Sequence, residues 1–269
     1  MSVLIQRVFL LCCLLCTAAW AGSAIPASAE HFLPEQQVLP TLDALQQKAA
    51  AEQKLLLLVL GADWCHDSVS LLQHFNQPDF AAALSQRFER AFIDVGFLQF
   101  GQAITQRYQL PLYYGTPTVL IIAPDSGQLL NKTDLMHWTN AASFDEKAYQ
   151  QYFIATDFKQ QFAKEQQQLA GVSTALLQQI AEFEQQQAAK LQQAYGYLGP
   201  LLQAYKKSGK PAGAEFNQAW SEVKSFRSQI LPDVEKLQQQ AKRLAAGESL
   251  LLPEYGVFSF SKELVSESY

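Results

Sequence analysis

Cysteine is scarce beyond the amino-terminal end of this chain. Three of its four cysteines lie within the first 29 residues, and residues 30–269 contain only Cys65. One thiol cannot form an internal disulfide in that part of the chain. In an oxidising compartment such a thiol is either buried and inert, or it forms mixed disulfides with other molecules.

Long apolar runs are also rare. The only one near the start follows Arg7, covers residues 8–21 and gives way to small residues that end at Ala29. This order predicts a cleaved secretory signal peptide over residues 1–29, with cleavage after Ala29, or after Ala21 as the second choice. The run is shorter than the about 20 residues of a membrane span. We therefore expect a periplasmic or secreted protein with no membrane association after cleavage; an uncleaved anchor in the inner membrane is the alternative.

Basic clusters and metal-binding spacings are absent from the sequence. The formal net charge is −5, from 20 Lys and Arg against 25 Asp and Glu. Because the sequence has no stripe of basic residues, we expect no nucleic-acid partner. Cys65, His66, Asp67 and His74 lie close in sequence, but neighbouring helical positions point apart and His74 is more than two turns further on. We predict no metal and no cofactor.

Residues 30–162 alternate between strand and helix patterns. The apolar run LLLLVL at residues 55–60 is typical of a central strand that is covered on both faces. This alternation, which ends in a hairpin and a helix, predicts an α/β fold with a mixed sheet flanked by helices. The predicted strands are 55–60, 88–96, 118–123 and 128–131, and the predicted helices are 39–53, 66–75, 79–86, 100–108 and 143–162.

Residues 163–246 are rich in Gln, Ala and Leu, and their apolar residues recur at three- and four-residue steps. This pattern predicts an all-α, coiled-coil-like hairpin of two long helices, joined at 208–213, with a kink or restart at Pro232. Its apolar stripes form either the hairpin's own core, or a homodimer seam, or a groove for a client protein. The sequence does not indicate whether the tail, residues 247–269, packs against the rest of the chain.

Three segments carry a resemblance to a known family: GADWCHDSVSLLQHF from residue 61, FIDVG from residue 92, and ITQRYQLPLYYGTPTVLIIAPDSG from residue 104. Together they resemble the thioredoxin superfamily, and more narrowly a group of bacterial exported thioredoxin-like proteins, over residues 37–160. The resemblance implies a thioredoxin-like fold and a reactive thiol at Cys65, next to the aromatic Trp64. It also implies that Trp64, Thr116 and Pro117 bind the substrate, with a cis Pro117 that presents the backbone of Thr116 to a substrate strand.

Two departures from the family pattern affect the expected chemistry. Ser68 stands where the second cysteine of the family would be, so the motif is the monothiol form C-x-x-S. Val59 stands where many thioredoxins have a buried acid. Without a second cysteine, Cys65 can attack a disulfide but an outside thiol must release it, so net two-electron oxidation or reduction of a protein by this chain alone is excluded.

The residues around Cys65 predict an accessible, partly ionised thiol. The backbone N–H groups and the dipole at the start of a helix favour thiolate. His66, if protonated, adds to this effect, Asp67 opposes it, and Ser68 can donate a hydrogen bond to the sulfur. We therefore expect Cys65, His66 and Ser68 to be catalytic; an inert, buried Cys65 and a functionless Ser68 are the alternatives.

Two hypotheses of function follow. The first is a monothiol protein that carries out thiol-disulfide exchange on protein thiols and disulfides, with isomerase-like or reductase-like outcome. The second is a redox-inactive adaptor that binds clients through the helical extension. A metal-binding monothiol protein of glutaredoxin type has no support, because no glutathione-site signature is visible.

Overall fold

The computed structural model describes residues 30–245 and 247–261. The predicted signal peptide, residues 1–29, lies outside the described residues. Within the described part of the chain, no helix combines the length and the apolar character that a membrane crossing requires.

The described residues contain a mixed sheet of five strands: β1 (Leu33–Pro34), β2 (Leu55–Gly61), β3 (Phe88–Asp94), β4 (Thr118–Ala123) and β5 (Gln128–Leu129). Their order in the sheet is β1-β3-β2-β4-β5. The central strand β2 pairs in parallel with β3 and antiparallel with β4, and β1 and β5 form the edges. All four strands predicted from the sequence are present, and β1 is an additional short edge strand.

Helices cover both faces of the sheet, and the LLLLVL run is buried on both sides as its composition predicted. Leu58 and Leu60 pack in one core cluster with the helices α2 (Leu42–Ala51) and α5 (Gln102–Arg107). Leu57 and Val59 point to the opposite face, in a cluster with the helices α3 (His66–Phe75) and α4 (Pro78–Arg87). The α/β fold class is therefore confirmed. The helices up to residue 170 are α1 (Glu35–Val38), α2 (Leu42–Ala51), α3 (His66–Phe75), α4 (Pro78–Arg87), α5 (Gln102–Arg107), α6 (Glu146–Tyr149) and α7 (Phe158–Leu169).

The single helix expected over residues 143–162 is wrong. Asp145 begins α6 and accepts a hydrogen bond from the backbone N–H of Ala148 at 2.9 Å. A π-helical turn follows, and Asp157 then begins α7, accepting from the N–H of Gln160 at 3.0 Å. Aspartate side chains compete for backbone N–H groups and favour helix starts over helix interiors.

Two long helices, α8 (Thr174–Ser208) and α9 (Ala214–Ala241), form the predicted hairpin. Most of the predicted stripe residues are buried within this chain, so the stripes supply the hairpin's own core. A homodimer through the extension stays a prediction. The expected restart at Pro232 does not occur: α9 continues through this residue.

The hairpin folds back onto the α/β part of the chain. Leu198 of α8 and Ile230 of α9 belong to the same apolar cluster as Leu58 and Leu60 of the central strand. The described part of the tail packs against the hairpin in turn, where the Tyr255 hydroxyl donates a hydrogen bond to Asp233 at 2.8 Å. The extension therefore lies against the domain that carries Cys65.

Candidate functional site

Cys65 stands at the turn between the central strand and α3. Its φ of −92° and ψ of 117° are extended, and the helix begins at the next residue, so Cys65 is the N-cap. The Cys65 side chain is half-buried. Gly61, the last residue of the strand before this turn, leaves room for the ring of Phe32 and the hydroxyl of Ser68, which a Cβ there would approach to 2.5 and 2.9 Å. The thiol is thus placed at the positive end of a ten-residue helix.

The loop before β4 brings a second part of the site to the sulfur. The peptide bond between Thr116 and Pro117 is cis, as the family resemblance implied. The Cys65 thiol donates to the backbone carbonyl of Thr116, and the Thr116 hydroxyl donates to the sulfur, each at 3.3 Å. Residues 51 positions apart in the chain are therefore in direct contact.

Trp64 is held by groups that the sequence analysis did not single out. Its indole N–H donates to the carbonyl of Gly96 at 2.7 Å. The Gly96 N–H donates in turn to the Asp94 carboxylate at 2.8 Å, and burial raises the pKa of Asp94, partly opposed by this hydrogen bond. The segment FIDVG signalled the end of a strand, but its pattern did not reveal a contact with Trp64.

Aromatic rings enclose Trp64 on two further sides. Phe97 stacks on it with a centroid separation of 6.4 Å, and Trp220 of α9 meets it edge-on at the same separation. Phe97 follows the strand β3, whereas Trp220 comes from the helical extension. The extension therefore contributes a side chain to the surroundings of the thiol.

The other predicted site residues differ in their placement. Ser68 is fully buried and its hydroxyl has no hydrogen-bond partner among the described residues, so the expected bond from Ser68 to the thiol is not formed and Thr116 donates instead. His66 is exposed. The Asp67 carboxylate accepts a hydrogen bond from the backbone N–H of Ala142 at 3.0 Å, which ties the start of α3 to the 3-10 helix His137–Ser143.

Helix α8 contacts the cis-proline loop directly. The Tyr114 hydroxyl donates to Glu184 at 2.9 Å, and the Tyr195 hydroxyl donates to the backbone carbonyl of Tyr113 at 3.4 Å. Across residues 30–245 and 247–261, no group of three or more His, Cys, Asp or Glu side chains is arranged to hold a metal ion. The groups that the structure places at the Cys65 sulfur are the carbonyl and hydroxyl of Thr116 and the N-terminus of α3.

The sheet order, the cysteine at the start of α3 and the adjacent cis proline define a thioredoxin-like domain that carries a single thiol. In agreement, residues 37–124 match a family model described as thioredoxin-like. This match covers about a third of the chain and does not include the helical extension.

The crystal structure of a disulphide isomerase from Xylella fastidiosa Temecula1 is similar to this chain at 27% sequence identity, over 49% of this chain and 89% of that one, with a TM-score of 0.36. A search of the curated proteins gave no match.

Proposed function

We propose that this chain is an exported thioredoxin-like protein that exchanges disulfides with other proteins through Cys65. One observation carries the proposal: a half-buried thiol at a helix N-terminus lies 3.3 Å from both the carbonyl and the hydroxyl of Thr116, next to a cis proline. The thioredoxin-like match of residues 37–124 supports the same conclusion.

The reaction begins when the Cys65 thiolate attacks one sulfur of a client disulfide. A new S–S bond forms between Cys65 and that sulfur, and the other client sulfur leaves as a thiolate. The helix N-terminus and the Thr116 hydroxyl stabilise negative charge on Cys65, both before the attack and after its release.

A second thiol must end the cycle, because residues 30–269 contain no cysteine besides Cys65. If another thiol of the client attacks the mixed disulfide, the client is rearranged and Cys65 leaves as a thiolate. If small-molecule thiols attack instead, the client is reduced and two of these thiols are oxidised to their disulfide. Val59 and Ser68 fit this scheme, because the chain needs neither a resolving cysteine nor an acid to activate one.

The test is a rate measurement with a peptide that contains a disulfide, followed by peptide mapping of the adduct by mass spectrometry. The reference is a Cys65→Ser protein with a new thiol at exposed Ser228 of α9 (Ser228→Cys), far from any helix N-terminus. We expect the Cys65 adduct to form at least about tenfold faster than the adduct of the reference thiol, because the helix N-terminus and the Thr116 hydroxyl favour negative charge on the attacking sulfur.

Equal rates for the two thiols would contradict the proposal. The adaptor hypothesis would then be preferred, and partner binding by the α8–α9 hairpin should persist in the Cys65→Ser protein. For export, the expected result is a mature protein that begins at residue 30 after expression in a secreting bacterium. A chain that keeps residues 1–29 would contradict cleavage.

A further inference from the structure

A buried carboxylate of the helical extension contacts the loop that carries the cis proline. Glu184 lies in the interior of α8, and only 3% of its side chain is exposed. One of its oxygens accepts a hydrogen bond from the Tyr114 hydroxyl at 2.9 Å, and the other lies 2.6 Å from the ammonium of Lys132. Glu184 is outside the segment that matches the thioredoxin-like family.

Packing alone does not explain a carboxylate at this position. A buried ion pair loses much of its attraction to desolvation, and an apolar residue of similar volume is often as stabilising or more so. The Tyr114 hydroxyl is itself fully within the protein, and burial together with the charge of Glu184 raises its pKa well above the usual range. Tyr114 therefore remains protonated and donates to Glu184 at any physiological pH.

Tyr114 is two residues from Thr116, whose two oxygens contact the Cys65 sulfur. The adjacent Tyr113 is also held by α8, because the Tyr195 ring stacks on it at 5.4 Å and the Tyr195 hydroxyl donates to its carbonyl. Only Gly115 intervenes, and its carbonyl accepts a hydrogen bond from the Thr118 hydroxyl at 2.7 Å, so a displacement of Tyr114 moves Thr116 with it.

We propose that Glu184 is a positioning residue, which places the Thr116 carbonyl and hydroxyl against the Cys65 sulfur by holding Tyr114. The helical extension is then part of the redox site and is required for the pairing of a client segment with the cis-proline loop. This inference deepens the proposed function and rests on it for the reaction; the placement of the loop can be measured separately.

The test compares variants of this contact in the purified protein. Tyr114→Phe removes the donor, Glu184→Leu removes the acceptor, and the double variant removes both, which leaves the ammonium of Lys132, whose side chain is 39% exposed, to water. Glu184→Gln keeps an acceptor for Tyr114. Glu182→Gln is the matched control, because Glu182 is exposed on the same helix and accepts a hydrogen bond from Gln178.

Two rates of Cys65 are measured for each protein: with a disulfide-containing peptide and with iodoacetamide. The peptide must align with the Thr116 backbone, whereas iodoacetamide needs only access to the sulfur. For Tyr114→Phe, Glu184→Leu and the double variant we expect the ratio of the peptide rate to the iodoacetamide rate to fall about tenfold, since small misplacements of a substrate carry such costs. A weaker contact between the Thr116 hydroxyl and the sulfur slows both reactions and leaves this ratio unchanged. Glu184→Gln and Glu182→Gln should keep the parent's peptide rate.

The double variant separates positioning from stability. It is expected to unfold at the parent's urea concentration and still react slowly with the peptide. A peptide rate restored to the parent's value in the double variant would show that Glu184 only supports the fold, and would overturn the proposal.

Hydrogen exchange of the amides at residues 113–119 provides a readout that does not depend on the redox reaction. It should be faster in Tyr114→Phe and Glu184→Leu than in the parent and in Glu182→Gln. If the parent fails to react with the peptide, the proposed function is wrong, and the exchange rates alone decide whether Glu184 positions the loop. Unchanged exchange in both variants would refute the positioning role.

Discussion

Helix α8 contains two glycines, Gly196 and Gly199, and only Gly199 lies against the loop beside the site. We therefore expect an added methyl group to lower the stability of the protein at position 199 and not at position 196. A Cβ on Gly199 would lie 2.4 Å from the backbone carbonyl oxygen of Phe97, a distance that real Cβ atoms essentially never show. Phe97 stacks on Trp64. Gly196, three residues earlier on the same helix, has nothing within 4 Å of its Cβ position. Gly199→Ala therefore tests the docking of the extension, and Gly196→Ala is its control.

The two substitutions differ in their steric consequences. Alanine is favoured over glycine in a helix interior by about 0.8–1.0 kcal/mol, but position 199 gains less, because the ring of Pro200 disfavours the helical backbone at a preceding residue that has a Cβ. The methyl group at position 199 also meets a backbone atom that no rotamer change can move away, and such overpacking costs about 1–3 kcal/mol. We expect Gly196→Ala to stabilise the protein by about 1 kcal/mol and Gly199→Ala to be less stable than Gly196→Ala by about 1–3 kcal/mol.

The assay is urea unfolding followed by far-UV circular dichroism, with the midpoints compared at equal slope. The difference between the two variants reports the close approach of α8 to Phe97 together with the effect of Pro200 on the residue before it. If Gly199→Ala gains as much stability as Gly196→Ala, the helix does not lie against this loop. The contacts of Trp220 with Trp64 and of Glu184 with Tyr114 would then be in question as well.

Three further predictions concern the residues around the thiol. Trp64→Phe removes the hydrogen bond to the Gly96 carbonyl and should cost about 1 kcal/mol in urea unfolding; an unchanged midpoint would show that this bond contributes nothing. Burial raises the pKa of Asp94, so its charged form destabilises the folded state at pH 7, where Asp94→Asn should be the more stable protein. That advantage should shrink as the pH falls through the raised pKa and vanish below the ordinary value of about 3.9; a constant difference down to pH 3 would contradict it. Thr116→Val keeps the shape but loses the hydroxyl that donates to Cys65, so alkylation at pH 7 should slow by about five- to tenfold, and an unaltered rate would refute the role of that hydroxyl.

Local patterns determined most of the elements of this protein. Six consecutive apolar residues at 55–60 require cover on both faces, so a central strand followed directly from composition. The strand at 118–123 was predicted with its observed bounds, because turn-forming residues stand on either side. The helix over 143–162 failed because Asp145 and Asp157 each capture backbone N–H groups, a competition that apolar periodicity does not register.

For the site, the sequence by itself identified the thiol, its aromatic neighbour and the proline loop, through the motif around Cys65 and the resemblance it carries. Only the tertiary structure decided which group donates to the sulfur: Thr116 does so, and Ser68 is left without a partner. It also decided that Glu184 and Trp220 reach the site. Helical spacing shows which face of α8 and α9 is buried, but the surface that covers this face depends on how the helices dock, which arises from contacts between residues distant in the chain.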